Sequence, residues 1–79
     1  MITDHARLLA REVVTRACEM HTTGQGPDDL AKCRDIVLDV RWPIRGRGGV
    51  ARAHARTQRE VRAAITEFYQ TSEPKEPNA

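Results

Sequence analysis

Apolar residues recur at steps of three and four in three separate segments of this chain, and this spacing restricts the fold more than any other feature of the sequence. Such spacing places the apolar residues on one face of an α-helix. The sequence therefore predicts an all-α fold with helices at about 4–21, 28–42 and 50–69.

The three predicted apolar faces differ in composition. The first consists of Ile2, Ala6, Leu9, Ala10, Val13, Ala17 and Met20. The second consists of Leu30, Cys33, Ile36, Val37 and Val40, and the third of Val50, His54, Thr57, Val61, Ala64, Ile65 and Phe68. Thr3 or Asp4 is a suitable N-cap for the first helix, and Gly24 and Gly26 are suited to end it.

Three amphipathic helices in 79 residues form one small domain, and they pack most simply as an antiparallel bundle. We expect this three-helix domain to occupy residues 1–70. Residues 71–79 contain two prolines and are predicted to form a disordered C-terminal tail.

Positive charge is concentrated in one part of the chain. Residues 41–62 contain seven arginines and one acidic residue, Glu60, whereas residues 1–40 contain seven acidic and five basic residues. A solvent-facing helix surface normally mixes both signs of charge. The segregation therefore indicates a binding surface, although an ordinary solvated face is the simpler interpretation.

The predicted partner-binding residues are the arginines of this segment together with the single tryptophan. They are Arg41, Trp42, Arg45, Arg47, Arg52, Arg56, Arg59 and Arg62. Tryptophan and arginine are enriched among the residues that dominate binding energy at protein interfaces. The alternative for Trp42 is that it folds over the open end of the bundle and closes the core.

Gly46, Gly48 and Gly49 precede the predicted third helix and alternate with arginines. Free N–H groups at a helix N-terminus favour anions, so these glycines are a candidate anion-binding loop. A flexible connector with solvated arginines is the alternative. The loop matches neither a Walker motif nor a dinucleotide-binding fingerprint.

These features favour a small regulatory or adaptor protein that binds an acidic protein surface. The alternative is a nucleic-acid-binding protein that uses the same arginines on phosphates, although a near absence of aromatic residues argues against stacking on single strands. Self-association is a further expectation, because Leu8, Val14 and Leu38 lie off the predicted apolar faces.

The sequence does not point to catalysis, to a metal or to a cofactor. The only serine, Ser72, lies in the predicted tail, and the acidic residues of the second helix lie on an exposed ridge. A zinc set of Cys18, His21, Cys33 and His54 would lack two tight ligand pairs. A Cys18–Cys33 disulfide is easier to form, but it requires an oxidising compartment.

The sequence has no apolar run long enough for a membrane span, and its N-terminus does not resemble a signal peptide. We therefore expect a cytoplasmic protein with no membrane partner.

Overall fold

The computed structural model describes residues 1–72 and shows three helices, α1 (Asp4–Thr23), α2 (Leu30–Arg41) and α3 (Gly49–Ser72). The all-α prediction and the number of helices are confirmed. The relative direction of the helices stays a prediction. Among the described residues, no helix is both long enough and apolar enough to cross a bilayer.

Helix α1 is capped at both ends as the sequence predicts. The hydroxyl of Thr3 accepts a 3.0 Å hydrogen bond from the backbone N–H of Ala6. Gly24 ends the helix with φ of 71°, in the left-handed region, and the N–H of Gln25 reaches the carbonyl of Met20 at 3.0 Å. This pairing satisfies carbonyl groups that the helix end would otherwise leave open.

Helix α2 begins two residues later than predicted. Asp29 is its N-cap in an extended conformation, and its carboxylate accepts a 2.9 Å hydrogen bond from the N–H of Ala31. Pro27 and Asp28 therefore precede the helix and do not form its first turn. Helix α3 begins at Gly49 and continues to Ser72, so residues 71 and 72 are helical where the sequence predicted the start of the tail. The rest of the predicted tail, 73–79, lies outside the described residues.

Helix α1 occupies the centre of the fold and packs against both α2 and α3. Its buried face carries Ala6, Ala10, Val13 and Ala17, as predicted. The three alanines allow neighbouring helices to approach closely, since the distance between helix axes depends on the side chains at the contact. The largest fully buried side chains of the core are Leu38, Val13, Val61 and Cys33.

The predicted face of α2 is wrong in part. Leu38, expected to lie off the apolar face, is 1% exposed, whereas Val40, expected inside, is 76% exposed. Helix α2 packs against α1 and also makes side-chain contacts with α3. The buried face of α2 is therefore the one that lies between these two helices. Leu38 fills that position, and Val40 lies outside it.

The predicted face of α3 also differs from the structure, mainly in its first half. Val61, Ala64 and Ile65 are buried as predicted, but Val50 is 70% exposed. Ala51 and Gln58 are buried instead. In the first half of α3, the buried face is therefore rotated away from the predicted apolar face, and it includes Gln58.

Candidate partner-binding site

The predicted binding segment is held in place by Gln58, which is 5% exposed. Its side-chain amide donates hydrogen bonds to the carbonyl of Trp42 at 2.9 Å, to the carboxylate of Asp39 at 3.0 Å and to the carbonyl of Leu38 at 3.3 Å. These acceptors lie at the C-terminal end of α2, where the last backbone carbonyls have few partners within the helix. The Leu38 carbonyl also accepts a 2.9 Å hydrogen bond from the N–H of Trp42. Gln58 thus joins the end of α2 to the middle of α3.

His54 fixes the next residue of the same segment. Its Nδ1 lies 2.6 Å from the carbonyl oxygen of Pro43, which can only accept, so Nδ1 carries the hydrogen. The side chain is half-buried, whereas the sequence predicted it on the apolar face of the third helix. His54 and Gln58, one turn apart on α3, therefore hold Trp42 and Pro43 against that helix.

Trp42 is half-buried and packs against the core. It is the C-cap residue of α2, and the guanidinium of Arg41 lies 5.1 Å from the centre of its ring. The ring therefore covers the core in the way that the alternative interpretation expected. A role for its remaining exposed surface in partner binding stays a prediction.

The loop before α3 contains two glycines in conformations that other residues rarely adopt. Gly46 has φ of 67° and Gly48 has φ of 124°. The carbonyl of Gly48 accepts a 3.1 Å hydrogen bond from the N–H of Arg52. This hydrogen bond begins the helical pattern of α3. These glycines bring the chain from α2 into α3. Arg45, just before Gly46, and Arg47, between the two glycines, are exposed.

Three of the predicted arginines share one side of α3. Arg52, Arg56 and Arg59 are exposed, and at about 100° per residue they fall within an arc of roughly 60°. The buried Val61 lies on the opposite side of the helix. These three arginines therefore face away from the core.

Two of the predicted arginines are already paired with acidic residues of the protein. Arg41 contacts the carboxylate of Glu12 on α1 at 2.8 Å, and Arg62 contacts Asp35 on α2 at 2.7 Å. Each pair joins two helices. Arg41 and Arg62 thus contribute less free positive charge than the sequence suggested.

The remaining five arginines are exposed and form no ion pair with any acidic residue in the described part of the chain. We call them the arginine surface: Arg45, Arg47, Arg52, Arg56 and Arg59. The same segment also exposes two aliphatic side chains, Ile44 at 49% and Val50 at 70%.

A second exposed region was not predicted from the sequence. A groove of about 810 Å³ lies between α1 and α2, and its walls include Leu8, Ile36 and Val40, which are 57%, 38% and 76% exposed. Leu8 had been noted as lying off the predicted apolar face. The apolar spacing of the second helix places Ile36 and Val40 in the core, so it does not predict that they line a groove.

One ion pair outside the predicted segment perturbs the titration of its members. Arg7 on α1 contacts Glu67 on α3 at 2.8 Å and also contacts Asp4 at 3.0 Å. The hydrogen bond from Arg7 holds the pKa of Glu67 below its ordinary value of 4.5, and the same hydrogen bond raises the pKa of Arg7. The pair joins the beginning of α1 to the last third of α3.

The two cysteines are free thiols in different surroundings. Cys18 is exposed, whereas Cys33 is buried and its thiol donates a 3.3 Å hydrogen bond to the carbonyl of Pro27. Within residues 1–72, no three histidine, cysteine, aspartate or glutamate side chains are grouped closely enough to hold a metal ion.

Comparison with known proteins gives no family to which the chain can be assigned. No protein-family model matches it, and neither the curated proteins nor the solved structures contain a significant match.

Proposed function

We propose that this chain is a small non-enzymatic adaptor or regulatory protein that binds an acidic surface on a partner protein through the arginine surface. The observation that carries the proposal is that five exposed arginines of one segment have no acidic partner within residues 1–72. Glu60, the acidic residue of the same segment, is exposed and also forms no ion pair within residues 1–72. Such an excess of one sign of charge favours association with a surface of the opposite sign.

The exposed aliphatic residues of the segment favour a protein over a nucleic acid. Ile44 and Val50 gain free energy only when an apolar surface covers them. Protein interfaces combine such residues with arginine, whereas phosphate contacts use charged and polar groups. We also propose a cytoplasmic location, where the thiols of Cys18 and Cys33 would stay reduced.

Contact with nucleic acid through the same arginines is the second candidate. Arg52 and Arg59 are separated by seven residues, about 10 Å along the helix, so the row could contact several phosphates of one strand. Both candidate functions use the same arginines. They predict different responses of binding to nuclease treatment and to salt concentration.

The test is affinity capture from a lysate of the source cell, with and without nuclease, using the tagged wild-type chain and the triple variant Arg52→Glu/Arg56→Glu/Arg59→Glu. We expect a protein that is retained after nuclease treatment and lost with the triple variant. The single variants Arg52→Glu, Arg56→Glu and Arg59→Glu are measured as well. Each is compared with Lys32→Glu, which makes the same change of charge at an exposed residue of α2.

Equal capture by the wild type and the triple variant would contradict the proposal. Loss of the captured protein on nuclease treatment would favour the nucleic-acid candidate. In that case the affinity of the purified chain for a DNA duplex should fall steeply as salt increases, and the triple variant should not bind.

A further inference from the structure

The α1–α2 groove is an exposed apolar feature that the proposed function does not use. Met20 and Val37 line it together with the wall residues Leu8, Ile36 and Val40. The three wall residues are exposed in a protein with a small core, in which the largest fully buried side chain is that of Leu38. Covering these aliphatic side chains would remove apolar surface from water, which favours association.

The charges along the groove are arranged in a way that a second copy of the same chain can match. The pair of Glu12 and Arg41 is satisfied within the molecule. Arg11, Arg16 and Glu19 also line the groove, and they form no ion pair with any group in residues 1–72. The groove therefore presents unpaired charges of both signs.

Two of these charges, Arg11 and Glu19, have a symmetric placement on α1. Arg11 and Glu19 lie four residues before and after Thr15, which is about 6 Å in each direction along the axis. All three residues fall within an arc of about 80° on one side of the helix. A two-fold axis at Thr15 would place Arg11 opposite Glu19 of the second copy, and this contact would occur twice.

We propose that the α1–α2 groove is the interface of a symmetric dimer of this chain. In this dimer, α1 crosses its copy at Thr15, where a small side chain allows close approach. Two Arg11–Glu19 pairs flank the crossing, and Leu8, Ile36 and Val40 of both copies are covered. The interface does not use the arginine surface, which lies on α3 and its preceding loop. A failure of the dimer would therefore leave the proposed function intact, and a failure of the proposed function would leave the dimer intact.

The test is sedimentation equilibrium of the purified full chain over micromolar to millimolar concentrations. The wild type should show a mass that rises with concentration toward that of a dimer. Glu19→Arg places two arginines opposite each other at both ends of the crossing, and it should raise the dimer dissociation constant by roughly tenfold or more. Glu60→Arg, the same change at an exposed residue of α3, should leave the constant unchanged.

A double variant that exchanges the two charges distinguishes a specific Arg11–Glu19 pair from a general effect of net charge on association. Arg11→Glu/Glu19→Arg restores opposite charges across the axis, so it should recover the wild-type constant. Val40→Asp, at a side chain that is already exposed, should abolish the dimer without unfolding the protein, as checked by circular dichroism.

Three results would overturn the dimer. They are a monomer at every concentration, a dimer that Glu19→Arg leaves unchanged, and a double exchange that binds no better than Glu19→Arg alone. If the groove binds a different protein and not a second copy, the purified chain would be a monomer at every concentration, which is the first of these results.

Discussion

The side-chain amide of Gln58 lies 2.9 Å from the carbonyl oxygen of Trp42, and through this contact a buried polar residue of α3 satisfies the last turn of α2. Gln58 also accepts a 3.4 Å hydrogen bond from Arg62, so its amide is engaged on both its nitrogen and its oxygen. The relationship explains why a glutamine occupies a position that the helical pattern would give to an aliphatic residue.

We expect Gln58→Met to destabilise the fold although it retains most of the side-chain volume. The change leaves the carbonyl of Trp42 without this donor, and a buried unsatisfied group costs about 1–3 kcal/mol. Urea denaturation gives the free energy of unfolding. Gln70→Met, at an exposed residue of the same helix, is the control and should change stability little. Equal stability of Gln58→Met and the wild type would show that the amide contributes nothing net.

Trp42→Ala should lower the free energy of unfolding by about 2 kcal/mol, because the ring covers the core. Trp42→Phe retains an aromatic ring at this place and should lose less. Thermal and urea denaturation measure both variants. A loss of partner binding by Trp42→Ala has to be judged against this loss of stability, and only a variant that remains folded at the assay temperature tests the residue as a binding contact.

Gly24 and Gly49 provide a matched pair for the effect of backbone conformation. An added methyl group would meet no atom within 4 Å at either glycine, but only Gly24 has a positive φ, of 71°. Gly24→Ala should therefore cost about 1 kcal/mol. Gly49→Ala lies in the first turn of α3 and should be neutral or slightly stabilising. Equal effects in the two denaturation curves would contradict the argument.

The pair of Arg7 and Glu67 predicts a dependence of stability on pH. The pKa of Glu67 is lower in the folded state than its ordinary value of 4.5, so the native state binds fewer protons than the unfolded state in that range. The contribution is fully present above pH 4.5 and is lost as the pH falls through the folded pKa.

Glu67→Gln isolates this contribution. The melting temperature of the wild type should exceed that of the variant by a constant amount between pH 7 and the ordinary pKa, and the difference should close as the pH is lowered further. A difference that persists unchanged into strong acid would show that the carboxylate does not stabilise the fold through its charge.

The sequence predicts α1 most accurately, because local chemistry defines that helix. Thr3 and Gly24 cap it, and its apolar face contacts neighbours along one side. The face of α2 is harder to predict, because Ile36, Val37, Leu38 and Val40 are four apolar residues within five positions. Which of them turns inward depends on where α1 and α3 lie, and the periodicity of α2 alone does not contain that information.

The candidate site shows the same division between local and tertiary information. The accumulation of arginines is visible in the sequence, but the pairs of Arg41 with Glu12 and of Arg62 with Asp35 join residues 29 and 27 positions apart. Those pairs depend on how the helices are rotated. Gln58 was missed for the same reason, since its acceptors include backbone carbonyls of another element.

The unequal burial of the two thiols offers a chemical measure of how often the fold opens. A maleimide reagent should modify Cys18 at once in the native protein, whereas Cys33, at 0% exposure, can react only in molecules that have transiently separated α2 from its neighbours. In a Cys18→Ser background, the rate of Cys33 alkylation would therefore report the opening equilibrium under native conditions, without denaturant.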